Sequence, residues 1–448
     1  MPADTALTVG IDIGTTSIKG VVVDREGTVV ARQRRIHAVD APTAGRLSHD
    51  AADVWHDGVQ AVWEQLRGEG TIAAITVSAM VPSMAPVDAD GRPIGPGLLY
   101  GDERGSADPS PHGELGELAS FAAWAASAYP DAAGYWPAQA VANGALTGTG
   151  AIDSVMAIMA SPLSDGATWD VDACAAVGAA PEQFPVIGSG HEPIGQADGA
   201  LVSGGTVDAL AEQLVAGADE VGDVLVICGT TLIVWAVADD WPEAEGLWTV
   251  PHTSGHAAIG GPSNAGGMFL ERVRYLVGER GEAGLAAVEP GRVPVWVPHI
   301  RGERVPYHDR ERRASLHGLD VGHQPGDVLQ AAYEASAFTV RAILERSGVA
   351  VDRIVATGGG THVDPWIQAL ADATGQPIQV VATPEGAALG AAYMSRVTAG
   401  LEPDTSGAGS WARIGRVVEP RTSWIEPCAA RYEQFRQLTD RSDHAVGP

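Results

Sequence analysis

The first pattern in the chain is an almost unbroken apolar run, Leu7–Ile13 (LTVGIDI), then Gly14-Thr15-Thr16, then a second run ending at Val23. Apolar runs without alternation suit strands covered on both faces, so Leu7–Val23 predicts two strands joined by a tight turn. Asp24–Gly27 supplies a further turn and Thr28–Arg35 a third strand. Apolar residues recur at helical spacing over Ala51–Arg67, and Ile72–Ser78 returns to a strand-like run. Gly91–Gly97 and Ser106–Gly113 are rich in proline and glycine and predict loops, whereas alanine-rich Leu115–Ser127 predicts a helix. From there to about Asp165 no period stands out.

A β-α-β pattern comes next over Ala200–Ala238: a helix across Val207–Ala216, the apolar strand Val224–Cys228, then Gly229-Thr230-Thr231. The arrangement recurs at Ile354–Thr357, a strand that runs into Gly358–Gly360 and a helix over Pro365–Thr374. Small residues over Ala387–Val397 predict another helix, and Arg431–Thr439 closes the fold. Strands feeding Gly/Thr turns in both halves predict two similarly built α/β domains. Their division is expected in the acidic, proline-containing stretch Asp239–Gly246, giving domains 1–238 and 239–448.

Composition narrows the function classes. The 448 residues are 45% hydrophobic and 19% charged, a globular profile too long for one ordinary domain. The formal charge of −28 argues against a nucleic-acid surface, which needs clustered Lys and Arg. No uncharged apolar run is long enough to span a bilayer, and MPADTALTVGIDIG lacks the marks of a signal peptide. Cys174, Cys228 and Cys428 lie far apart in the chain and read as reduced thiols rather than a disulfide or zinc framework. A cytoplasmic protein is expected.

Three Gly/Thr turns offer backbone donors to an anion: Gly14–Thr16, Gly229–Thr231 and Gly358–Gly360. Asp12 ends the strand before the first turn, where a carboxylate suits Mg²⁺ held through water. Alone, a strand followed by Gly-Thr is an ordinary hairpin more often than an anion site. Lys19 is the sole lysine among 28 basic residues, and no GxxxxGK[ST] occurs. A Walker-type loop and a protein-kinase lysine are therefore excluded. Lys19, beside the first turn, is a candidate phosphate contact.

GIDIGTTSIKGVVVD, at Gly10–Asp24, resembles the first phosphate motif of the actin/hexokinase/chaperone ATPase superfamily. More narrowly, the chain resembles the FGGY carbohydrate kinases, in their xylulokinase-like branch, over nearly its whole length. LLYGDERGSAD (Leu98–Asp108) is similar to the family's Trp-Asn-Asp-x-Arg segment. GTVDALAEQLVAGADEVGDVLVICGTT resembles the stretch holding the catalytic aspartate and the second phosphate loop, with 21 positions from Asp208 to Gly229. GERVPYHD (Gly302–Asp309), GLDVGHQPGDVLQAAYEASAF, GGGTHVDPWIQALADATGQPI with Trp366 and Asp372, and PEGAALGAAYMS continue the likeness in order. The resemblance implies an α/β fold of two ribonuclease H-like domains with a central interdomain cleft. It implies ATP and Mg²⁺ as cofactors, a small sugar (a ketose) or polyol as substrate, and, by analogy, a homodimer. Asp208 matches the base that takes the proton from the attacking hydroxyl, and Asp12 matches the metal-organising carboxylate. Gly14, Thr15, Thr16, Gly229, Thr230 and Thr231 match the phosphate loops. Gly359, Gly360 and Thr361 match the nucleotide side, joined by Gly266 in SNAGG. Asp102 and Arg104 match sugar-side positions that would otherwise read as a surface ion pair.

The chain departs from the family on the sugar side. The family's Gln-Met-His-Gly falls on Met80-Val81-Pro82-Ser83, replacing a histidine with Pro82, which has no polar side chain. A Ser-Asp-Ala-Ser segment falls on Val155–Ile158, and the stretch between Arg104 and Leu118 is shortened. Expected is a working kinase with a remodelled pocket for a smaller or less polar acceptor. The competing expectation is a catalytically lapsed relative that binds nucleotide or sugar as a regulator; retained Asp12 and Asp208 argue against it. His299, His308 and His362 are not spaced as metal ligands.

Overall fold

A computed structural model describes residues 6–43, 45–105, 117–252, 254–383 and 385–441. Two compact units emerge, Met1–Val215 with Glu385–Trp411, and Ala216–Pro384 with Ala412–Pro448. Residue 238, after which the sequence suggested a division, ends a strand of the second unit's sheet. Asp108 and the shortened segment after Arg104 lie outside the described residues.

The first unit is built on strands β1 (Leu7–Ile13), β2 (Ser17–Val23), β3 (Val29–Ile36), β4 (Ile72–Ala79), β5 (Pro193–Ala197), β6 (Ala200–Ser203) and β7 (Thr206–Val207). They form one sheet in the order β5-β6-β4-β1-β2-β3, with β7 also paired to β4. Strands β1 to β3 are antiparallel, whereas β4, β6 and β7 run parallel to β1. The apolar runs belong to strands covered on both faces. On one face Val9, Ile11, Ile13 and Val77 pack with Val59, Val62 and Leu66 of the helix Gly58–Leu66. On the other, Val21 and Val23 meet Ala388, Leu389 and Ala392 of the helix Gly386–Thr398. Small residues let this helix approach closely: a Cβ on Gly10 would stand 1.9 Å from the Ala388 carbonyl oxygen, and one on Gly390 1.7 Å from that of Ala211. Edge strand β3 alternates half-buried and exposed positions and places Arg32 and Arg34 outward, a charged edge that resists further pairing.

The second unit repeats the plan. Its strands are β8 (Asp223–Cys228), β9 (Leu232–Ala238), β10 (Trp248–Pro251), β11 (Ala257–Ser263), β12 (Arg353–Thr357), β13 (Ile378–Val381) and β14 (Ile414–Val418). Their order is β10-β11-β9-β8-β12-β13-β14. Strands β11, β9 and β8 are antiparallel, β8, β12 and β13 parallel, and β14 antiparallel. From β11 onward that succession matches β3-β2-β1-β4-β6-β5 in the first unit. The long helix Pro325–Ser347 supplies much of the core, with Phe338 and Ile343 against Trp366, Tyr432 and Phe435. The stretch to Asp165 that carried no period folds as short pieces: Gly134–Trp136, the helix Ala138–Thr147, Ala151–Asp153 and the helix Ser154–Ile158.

Candidate active site

Asp12 sits near the end of β1 and pairs in register with Ser78 of β4 on one side and Lys19 of β2 on the other. Its side chain is buried; Ser78 Oγ donates to Oδ1 at 3.2 Å, and Lys19 Nζ stands 3.9 Å from Oδ2. Burial pushes its carboxyl above the ordinary range, and Lys19 and Ser78 oppose that only in part. Next along the sheet, Thr206 of β7 also pairs with Ser78, and Val207 with Ala79. Asp208 comes immediately after, as the first residue of the helix Asp208–Leu214. The two acids therefore stand at the carboxyl ends of strands that both flank β4, where open α/β sheets bind their ligands. Burial, then repulsion from Asp12, pushes Asp208 up to about 8, against a 2.7 Å hydrogen bond from the Ala209 N–H. A carboxyl poised there is a proton acceptor matched to neutral pH.

A bulge delivers Asp208 to this position. β6 pairs Val202 with Ile75, whereas β7 pairs Thr206 with Ser78, so one extra residue is taken up at Ser203–Gly205. Gly205 has φ 88°, and a Cβ there would lie 2.5 Å from the Val77 carbonyl oxygen, so glycine is required. Gln139 Nε2 and Asn143 Nδ2 each donate to the Gly204 carbonyl at 2.9 Å. Ser203 Oγ reaches Thr76 Oγ1 at 2.8 Å, and Ser395 Oγ lies 2.7 Å from the Val9 carbonyl oxygen. These buried polar contacts, none of them singled out by sequence, fix the approach to Asp208.

The Gly14–Thr16 turn closes through Gly14 N–H to the Ser17 carbonyl at 3.1 Å. The carbonyls of its two threonines are drawn back into the protein, Thr15 O by His49 Nε2 at 2.8 Å and Thr16 O by the His37 N–H at 3.1 Å. Thr15 Oγ1 and Tyr100 OH stand 2.9 Å apart. Among the positions expected to face the acceptor, Met80 is buried with its N–H on the Ile13 carbonyl at 3.1 Å, which brings the segment to the end of β1. Pro82 is partly exposed, and Ser83 Oγ is occupied by Met80 O and the Ala138 N–H. Asp102 and Arg104 are not the surface ion pair their charges alone suggest. Asp102 is buried, and Arg104 grips it through Nε at 2.9 Å and Nη2 at 2.7 Å while lying 5.2 Å over the Trp124 ring. Burial would raise the Asp102 carboxyl, but Arg104 and the Leu47 N–H outweigh it and hold the group low. Val155–Ile158 lies in the helix Ser154–Ile158, with Met156 and Ala157 buried and Ile158 exposed.

In the second unit the Gly229–Thr231 turn joins β8 to β9, and Gly358–Thr361 comes directly after β12, the parallel neighbour of β8. Gly266 caps the helix Gly267–Val277; a Cβ there would stand 2.4 Å from Leu232 N, and Gly267 N–H donates to Gly229 O at 2.8 Å. Gly266, Gly229, Thr230 and Thr231 thus form one local cluster. Glu303, buried, accepts from Ser263 Oγ at 2.9 Å and the Asn264 N–H at 2.8 Å, and Arg304 Nη2 donates to Thr231 Oγ1 at 3.1 Å. A Cβ on Gly360 would meet Trp366 at 2.2 Å, whereas Gly359 faces open space. Thr361 Oγ1 donates to the Gly358 carbonyl at 2.7 Å. Trp366 and Asp372 are structural anchors, the first buried on Ser336 and the second held by Arg421, whose Nε and Nη2 donate to Oδ2 and whose backbone N–H donates to Oδ1.

The family model for the N-terminal domain of the FGGY carbohydrate kinases matches residues 7–109, and that for the C-terminal domain matches 224–399. The chain belongs to the FGGY family of carbohydrate kinases. It is 29% identical to a xylulose kinase of Streptomyces rubiginosus over 439 residues, 87% of each chain. It is 22% identical to a gluconokinase of Bacillus subtilis over 463 residues, 88% of each. A solved xylulose kinase from Lactobacillus acidophilus shares the fold, with TM-score 0.83, 21% identity and 99% of both chains covered. This FGGY chain is therefore an ATP-using carbohydrate kinase, a phosphotransferase, with the two-domain actin-like fold. None of its helices, among the described residues, is long and apolar enough to cross a membrane.

Proposed function

We propose that the protein transfers the γ-phosphoryl group of ATP to a hydroxyl of a small sugar or polyol, with Asp208 as general base. The observation that carries this is the pairing of Asp12 and Asp208 at neighbouring strand ends, each carboxyl raised and Asp208 brought to about 8 partly by Asp12. Asp208 accepts the proton as the hydroxyl attacks; the Gly14–Thr16 turn orients the γ-phosphoryl group beside it. Gly229–Thr231, Gly266 and Gly359–Thr361 hold the rest of the nucleotide. Two raised carboxyls, one of them pushed up in part by the other, fit a divalent cation. Among the described residues no cluster of three or more His, Cys, Asp or Glu could make an all-protein cage, which suits Mg²⁺ shared with phosphates. Asp12 would hold it, and the ion would supply charge neutralisation for the phosphoryl group being transferred.

The acceptor side supports a substrate with few polar groups near Pro82. Ser83 is spent on backbone contacts and Asp102 on Arg104 and Leu47. A smaller polyol or ketose is favoured over xylulose itself. The test is ADP release across a panel of ketoses, polyols and aldonates with Mg²⁺-ATP, run beside Asp208→Asn. Acceptor-dependent turnover in the wild type that vanishes in the variant supports the reading. ATP binding without turnover on any acceptor would instead favour a nucleotide-binding regulator, and normal turnover by Asp208→Asn would remove the base assignment.

A further inference from the structure

The turn Gly14–Thr16 offers two backbone N–H groups, those of Thr15 and Thr16, only if its carbonyls point away from the ligand. Left to itself a three-residue turn samples other peptide orientations, several of which would aim a carbonyl oxygen at an incoming phosphate. In this chain the carbonyls of both threonines are held, and that of Thr15 lies in the peptide that carries the Thr16 N–H. The Thr16 carbonyl takes the His37 N–H, and the Thr15 carbonyl takes His49 Nε2.

His49 is itself oriented. Trp55 Nε1–H can only donate, and it donates to His49 Nδ1 at 3.0 Å. Nδ1 is therefore the acceptor, and the proton sits on Nε2, where it is given to Thr15. Burial, helped by the neighbouring His37, brings the imidazole down to about 4, so it acts as an uncharged donor. His37 and His49 meet edge to face at 4.5 Å, which leaves little room for the ring to turn. A second clamp acts on the side chain: Tyr100 OH holds Thr15 Oγ1 at 2.9 Å.

We propose that Trp55, His49 and Tyr100 are positioning residues that lock the Gly14–Thr16 turn in its anion-accepting orientation, and that they act on the γ-phosphate alone. The second half depends on the proposed function, on which this inference rests: the base Asp208 works at the transferring group, and Asp12, Ser78 and Asp208 share their strand ends with this turn. The turn therefore meets the phosphoryl group that ATP has and ADP lacks.

The experiment measures Kd for a non-hydrolysable ATP analogue and for ADP, each with Mg²⁺, and the KM for ATP. Variants are Tyr100→Phe, His49→Leu and His49→Gln. Losing one oriented hydrogen bond should weaken ATP-analogue binding about tenfold in Tyr100→Phe and in His49→Leu. ADP affinity should stay within about twofold, and His49→Gln, whose amide can still donate, should recover part of the loss. Equal weakening of ADP and ATP analogue, or no weakening in any variant that melts like wild type, overturns the clamp. If His49→Leu fails to fold, Tyr100→Phe alone decides, because it removes a single hydroxyl at a partly exposed position. A wild type that binds neither nucleotide would instead sink the kinase reading, so the two failures are separable.

Discussion

Replacing Asp208 with Asn should make the protein more stable and inactive, and the gain in stability should grow with pH. The side chain is isosteric and its Oδ1 can still accept from the Ala209 N–H at 2.7 Å. The group lost is a carboxyl raised from 3.8 to about 8 by burial, then by Asp12. Each pKa unit is worth about 1.4 kcal/mol, so the ceiling is roughly 5–6 kcal/mol above pH 8. Asp208 is only partly buried and shares its repulsion with Asp12, so about half, ~3 kcal/mol, is expected. Below about pH 4 the group is protonated in both folded and unfolded chains, and wild type and variant should differ little. Between about pH 4 and 8 the folded chain keeps the proton while the unfolded chain loses it, so wild-type stability falls as pH rises. The variant escapes that loss.

Urea denaturation followed by tryptophan fluorescence at pH 5, 7 and 9 should show the gap widening from under ~1 to ~3 kcal/mol. In melting temperature this is roughly 3 °C at pH 9 if the whole chain melts together and about 6 °C if the first unit melts alone. Phosphotransfer by the variant should fall at least about a hundredfold, and wild-type kcat/KM should rise with pH as the base ionises. A gap independent of pH, or a variant less stable than wild type at pH 9, would refute a raised carboxyl at this position.

The same geometry sets four further outcomes. Lys19→Met removes the cation that lowers both Asp12 and Asp208, so the rising limb of the pH–rate profile should move upward by roughly 0.5–1 unit. Asp102→Asn leaves Arg104 without its buried bidentate partner and should cost ~3–5 kcal/mol by urea denaturation, part of which Asp102→Asn/Arg104→Met should recover. Gly390→Ala drives a Cβ to 1.7 Å from the Ala211 carbonyl oxygen and should destabilise by more than ~2 kcal/mol; Gly359→Ala, with open space at its Cβ, should melt like wild type yet raise the KM for ATP severalfold.

The strand–turn–strand units were legible because doubly covered strands must be apolar throughout and their Gly/Thr turns interrupt them abruptly. The helices over 365–374 and 387–397 were legible by period and small-residue content, and they run Asp364–Thr374 and Gly386–Thr398. Segment 134–165 was not, since strands of three residues carry no period to detect. Long-range placement was hidden as well. Nothing local says that Gly386–Thr398 belongs with β1 rather than with its sequence neighbours; the close approaches of Gly10 to Ala388 and of Gly390 to Ala211 explain so many small residues. Asp102 illustrates a different limit. A partner two residues away reads as a surface pair, and its burial depends on Leu47, whose N–H reaches it from 55 positions off. Ser78 and His49 carried no motif, and Tyr100, inside LLYGDERGSAD, was not singled out there, because each acts through a hydrogen bond to a residue that was.

The repeated sheet explains why the motifs occur where they do. In each unit a hairpin, β1–β2 or β8–β9, turns through Gly-Thr-Thr, and the strand parallel to the hairpin's first arm is β4 or β12. Such a turn places backbone donors at the carboxyl ends of the parallel strands whatever side chains surround it. Specialisation is then left to the chain segments beside and beyond the parallel strand. After β12 the chain continues as Gly358–Thr361, uncharged and open at Gly359. Beside β4 the first unit instead has the Ser203–Gly205 bulge, which leads to Asp208 at the strand ends shared with Asp12. One plan, used twice, thus yields an uncharged glycine turn in one unit and a pair of acids in the other, of which Asp208 is pushed up to about 8 by burial and by Asp12.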